Sequence, residues 1–145
     1  MIFKYIIMND NTVKKISVDI LMMLAIIVEF LSLPLLIHEI VGVGLLFLIL
    51  AHINYNKKYF KAITKGKYTL KRTIDLIVNI GLLISLFITI ISGIFLTQKS
   101  LKDMKIGNLK MSHIHKSSSI VSVIFLALHL LTTHKKFLQG VKKLR

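Results

Sequence analysis

Four long apolar stretches, separated by lysine-rich connections, leave this chain few ways to fold. They run approximately from Ile16 to Leu33, Leu36 to Tyr55, Thr73 to Thr97 and Ile114 to His134. At ~1.5 Å of helical rise per residue, the last three reach across a bilayer core of ~30 Å and the first comes within about 3 Å of it, inside the range of spanning lengths. In lipid an open strand would leave N–H and C=O groups unpaired, so such segments must be helical. They are also too long and too uniformly apolar for barrel strands, whose residues alternate. Hydrophobic residues make up 54% of the 145 positions, which leaves too little polar surface for a soluble domain. The expected fold class is all-α, an integral membrane four-helix bundle forming one domain over residues 1–145. Pro34, the only proline, and Ser32 mark a short turn between the first two spans.

The connections orient the bundle. Lys4, Lys14 and Lys15 precede the first span. Lys57, Lys58, Lys61, Lys65, Lys67, Lys71 and Arg72 fill the second connection, and Lys135, Lys136, Lys142, Lys143 and Arg145 follow the fourth span. The turn at Pro34 has no cation, and the loop from Gln98 to Ser112 has four. The positive-inside rule therefore puts both termini in the cytoplasm of a multi-pass cell-membrane protein. A net charge of +14 raises the possibility of nucleic-acid binding. The cations cluster between apolar blocks instead of lining one face, so the expected partner is the lipid bilayer and no nucleic acid.

Several chemistries have no residues to support them. There is no cysteine, which removes disulfides, thiolate-held iron–sulfur clusters and the CxxCH site for covalent haem. No P-loop, GxGxxG, GxSxG or HExxH motif occurs. The first 15 residues are mixed and charged, and no small-residue site closes the first apolar block, so no cleavable signal peptide is expected.

Histidine spacing supplies the functional signal. His38 and His52 are 14 residues apart, as are His115 and His129. On a helix, 14 steps advance ~21 Å and end about 40° short of four full turns, so both rings of a pair face nearly the same side. The second and fourth spans run in the same direction across the membrane. His38 and His115 then lie near the outer face, and His52 and His129 nearer the inner face. Two such helices side by side could hold two non-covalent b-type haems, one at each depth. The competing reading is that each histidine bonds a neighbouring helix as structural glue.

Other polar positions leave alternatives open. His113 competes with His115 but has Ala127, not histidine, 14 residues on; it reads as an interfacial or haem-edge residue. His134 sits beside Lys135 at the inner boundary, as an interfacial residue or a substitute for His129 in a shifted helix. Gly42, one turn after His38, and Ser122, midway between His115 and His129, would clear room for a macrocycle or simply pack helices closely. Glu29 is a candidate proton-relay carboxylate, or it reaches the outer interface. Glu39 adjoins His38 but points about 100° away on a helix. Lys57, Lys58 and Lys116 are candidates to pair with haem propionates.

An ordered set of short motifs then suggests a relationship. It comprises Lys15-Ile16-Ser17-Val18-Asp19 opening the first span, His38-Glu39 followed by Gly42, and Ala51-His52-Ile53-Asn54. It continues with Arg72 before the third span, Ser92-Gly93 late in it, and His115-Lys116 with Ser118 leading to Leu128-His129. Over nearly the whole chain this resembles the flavinylation-associated cytochrome family, small four-helix membrane proteins related in plan to the haem-binding core of cytochrome b. The resemblance implies two haem b groups ligated by His38, His52, His115 and His129, and transmembrane electron transfer to an extracytosolic flavoprotein or other redox partner. It implies an electron-transfer component and not a stand-alone enzyme. The chain departs from the pattern in having no fused flavin domain and no tryptophan near the outer end of the fourth span. The immediate acceptor and any quinone site therefore stay open. Two other classes compete: a haem-free small transporter or assembly subunit, and a cytochrome b anchor subunit of a dehydrogenase, hydrogenase or ferric reductase.

Overall fold

The computed structural model describes the backbone of residues 2–31, 34–98 and 103–142, with side chains from residue 11 onward. Ser32 and Leu33, expected to close the first span, lie outside the described residues, as do Lys99, Lys102, Lys143 and Arg145 of the charged connections. The described elements are α1 (Ile2–Glu29), α2 (Leu35–Tyr55), α3 (Lys57–Ile63), α4 (Leu70–Thr97), β1 (Lys105–Ile106), β2 (Leu109–Lys110) and α5 (Met111–Lys142).

Local chemistry accounts for most boundaries. No glycine or proline interrupts residues 2–29, so α1 begins well before the apolar run. It ends in a tightened turn, with Phe30 N–H bonding Ile27 O and Leu31 N–H bonding Val28 O, both at 3.1 Å. Pro34 stands immediately before α2, where its missing N–H costs nothing, and its carbonyl accepts from Ile37 and His38. Asn56 ends α2 by donating from Nδ2 to His52 O at 2.8 Å. Thr69 caps α4, its hydroxyl accepting from Arg72 N at 3.4 Å. Gly107 has φ +59, and the two-residue loop Gly107-Asn108 joins β1 to β2 as glycine in the first position of a type II′ hairpin turn does.

Three helices, α2, α4 and α5, are long and apolar enough to cross a membrane among the described residues. They coincide with the second, third and fourth expected spans. In α1, Lys14 and Lys15 stand just before the apolar run, and Asp19 and Glu29 interrupt it. Large apolar side chains such as Leu36 and Phe47 on α2, Ile84 on α4 and Leu131 on α5 are exposed. A helix outside water has every reason to present such residues to its surroundings.

The chain divides into two units. One comprises residues 1–65 with 133–145. Here α1 and α2 run antiparallel, bringing position 19 to 52 and 29 to 38. Ile16, Leu45 and Ile49 are buried in this unit, and Ile16 packs against Gly140. The other unit comprises residues 66–132. There α4 and α5 run antiparallel, bringing position 79 to 129 and 89 to 115. Its seam is built from small and hydroxyl residues: Ser85, Ser92, Ser118 and Ser122 are buried. Thr89 donates to Ser118 Oγ at 2.8 Å, and the Phe125 ring lies directly over Gly81. Small residues let two helices approach closely where water cannot drive them together.

Candidate functional site

All four singled-out histidines place Nδ1 against an oxygen, and at His52 the Asn56 Nδ2 also lies 3.4 Å from both ring nitrogens. In the first unit, His38 Nδ1 lies 2.5 Å from Glu29 Oε2, and His52 Nδ1 lies 2.7 Å from Asp19 Oδ1. In the second, His115 Nδ1 lies 2.8 Å from the Thr89 carbonyl, with Ser92 Oγ at 3.3 Å, and His129 Nδ1 lies 2.7 Å from Asn79 Oδ1. A carboxylate or carbonyl oxygen only accepts, so each neutral ring carries its proton on Nδ1 and its lone pair on Nε2. That is the tautomer an Nε2 metal ligand needs, with the other N–H held by an oxygen that fixes the ring orientation.

The two units solve the problem identically in chain arithmetic. Each has two acceptor positions ten residues apart on its first helix, Asp19 and Glu29 or Asn79 and Thr89. Each has two histidines 14 residues apart on its second helix. Antiparallel packing sends the earlier acceptor to the later histidine in both. The acceptors differ in charge: carboxylates in the first unit, a side-chain amide and a backbone carbonyl in the second.

Neighbouring residues fit closely around the rings. A Cβ added at Gly93 would sit 3.1 Å from His115 Cε1, so glycine at this position makes room for that imidazole. A Cβ at Gly42 would sit 3.6 Å from Glu29 Oε1. That oxygen is buried and has no hydrogen-bond partner among the described residues. Such an atom is costly beside a neutral ring and far less so beside an imidazole whose far nitrogen donates to a cation.

The remaining sequence candidates fall elsewhere. His113 and His134 are exposed on α5. Glu29 holds His38, where the sequence suggested a proton-relay carboxylate or one reaching the outer interface. Ser122 faces the hydroxyls of α4, with Thr89 Oγ1 at 3.4 Å, and belongs to the close-packed seam. Sequence reasoning did not single out Asn79 or Thr89. Asn79 is a polar residue in the third apolar span and carried a signal; the Thr89 contact is made by a backbone carbonyl and carried none. Comparison with known proteins finds no matching family model, no similar curated protein and no similar solved structure.

Proposed function

We propose that this chain is a membrane cytochrome holding two non-covalent haem b groups, a conduit for electrons across the bilayer. In this reading four helices cross the membrane, including α1, and both termini are cytoplasmic. His38 and His115 ligate the outer haem and His52 and His129 the inner one, an assignment that rests on sequence spacing and charge topology.

One observation carries the reading: the matching Nδ1 hydrogen bonds that leave each lone pair on Nε2. Four unrelated structural histidines have no reason to share one tautomer and one pattern of intervals. When bound, each haem supplies a one-electron iron couple. The residues of the chain would provide the imidazole nitrogens, hold them in orientation and exclude water with apolar helices. Two imidazoles for each iron would suit electron transfer over oxygen activation. Lys57, Lys58 and Lys116 are exposed and are the cations proposed to meet the propionates. The acceptor is an extracytosolic flavoprotein or another redox partner, with quinone as a further electron carrier.

Purified protein should show a reduced-minus-oxidised b-type spectrum with two haems per chain. His38→Ala and His115→Ala should each remove the same haem, and His52→Ala and His129→Ala the other. A purified, folded chain with no b-type α band would end the proposal and leave the four histidines as interhelical glue.

A further inference from the structure

The short hairpin between α4 and α5 has two dissimilar faces. Its register pairs Lys105 with Lys110 and Ile106 with Leu109. Successive strand residues point to opposite sides, so the two lysines share one face and the two apolar residues the other. Both faces are open: Ile106 is 58% and Leu109 60% exposed, and both lysines are exposed. Like charges directly opposite one another destabilise a ladder. Among the described residues no carboxylate forms an ion pair with either lysine. Asp103 is the only acidic residue in the whole connection from Gln98 to Ser112.

The hairpin is also anchored near the candidate ligands. Met111, the first residue of α5 and almost wholly buried, donates its N–H to Met104 O at 3.1 Å. Four residues further along α5 is His115, and the exposed Lys116 follows it. The proposed topology places this connection outside the cytoplasm. Cations there weaken the signal that orients the protein, so orientation does not account for them.

We propose that the Lys105/Lys110 face is the docking surface for an acidic soluble protein domain that exchanges electrons at the outer end of the bundle. This rests on the electron-transfer reading for its purpose, although the docking itself needs no haem. The arrangement of the faces favours a protein over lipid headgroups. Lysines that serve headgroups share a face with the apolar residues in the interface and extend their stems along it. Here, seating Ile106 and Leu109 on the bilayer turns Lys105 and Lys110 away from it, towards water. A cationic surface at that point raises the local concentration of an acidic partner and speeds its encounter.

The absence of native cysteine makes a direct test available. An Asn108→Cys variant at the turn is reconstituted in sealed phosphatidylcholine vesicles and treated with a membrane-impermeant maleimide, which reads only hairpins facing outward. An acidic flavodoxin, used as the probe, should slow labelling at low salt and lose that effect as ionic strength rises. Adding Lys105→Glu with Lys110→Glu should raise the half-protecting flavodoxin concentration about tenfold or more. Adding Lys135→Glu with Lys136→Glu, two exposed lysines near the C-terminus, should leave it unchanged, and basic cytochrome c should give no protection. Labelling of the same cysteine in intact cells should proceed without permeabilisation. The proposal is overturned if flavodoxin gives no protection, if protection survives the hairpin charge reversal, or if the cysteine reacts only in lysed cells. Slower labelling on adding phosphatidylglycerol, with no flavodoxin present, overturns it in favour of a lipid surface. A missing haem spectrum would sink the electron-transfer reading while leaving the docking result to stand or fall on its own.

Discussion

Replacing Asn79 with leucine tests the ligand-holding scheme where it is free of net charge. Asn79 Oδ1 accepts from His129 Nδ1 at 2.7 Å in a partly buried setting. Leucine has a similar volume and no acceptor, so the ring N–H loses its partner and the Nδ1–H tautomer loses its advantage. A buried donor left unsatisfied costs about 1–3 kcal/mol. At ~1.4 kcal/mol per factor of ten, that is about ten- to hundredfold in affinity, the range seen when acceptors behind metal-bound histidines are removed. Asn79→Leu should therefore lower the affinity of the haem proposed for His129 by that factor and leave the other proposed haem in place. Asn79→Asp keeps an oxygen at the same point and should retain both. Haem retention through serial dilution, read from the b-type α band and compared with His129→Ala, measures the effect. The reasoning fails if Asn79→Leu is folded and keeps both haems at parental affinity, or if both sites weaken equally.

Three further outcomes follow from the same geometry. Gly93→Val places branched carbon where a single Cβ would already lie 3.1 Å from His115, so it should deplete the haem proposed for His115 while Gly93→Ala has a smaller effect on haem content. Gly81→Leu drives a side chain into the Phe125 ring, whose Cε1 lies 2.5 Å from the nearest added carbon, and should lower stability by about 1–3 kcal/mol in a thermal melt in detergent. Thr89→Val removes the hydroxyl bonded to Ser118 but keeps the carbonyl bonded to His115; it should cost roughly 0.6 kcal/mol and leave haem content unchanged, and a loss of haem would contradict the assignment of that contact to the backbone.

Much of the helical frame was readable because bilayer thickness and backbone satisfaction act on long runs of sequence. The limits of α2 followed from Pro34 and from the lysines after Asn56, and the structure places them at Leu35 and Tyr55. Short elements carried weaker signals. The seven residues of α3 lay inside a charge run read for topology and for propionate pairing, not for a helix of its own. The hairpin turned on Gly107-Asn108, a local turn cue within a loop read only for its lysines. The histidine intervals were visible, but the matching ten-residue intervals of their acceptors were not. Which residue holds an imidazole depends on the register between two helices, and register appears only when they are packed. Glu29 illustrates this: it is nine positions from His38 in sequence, and the antiparallel packing of α1 on α2 makes the two neighbours.

The unequal chemistry of the four oxygens has a consequence for driving force. An anion behind an imidazole draws its proton away and gives the ring imidazolate character, which makes it a stronger donor to iron and favours the ferric state. Glu29 and Asp19 can act in that way; Asn79 and the Thr89 peptide group, being neutral, act less. If each iron takes one nitrogen from either half of the chain, both centres feel one strong and one ordinary ligand. An electron would then meet two sites of similar ligand strength, with no steep step from axial donors alone, and the direction of flow would be set by the partners at the two ends.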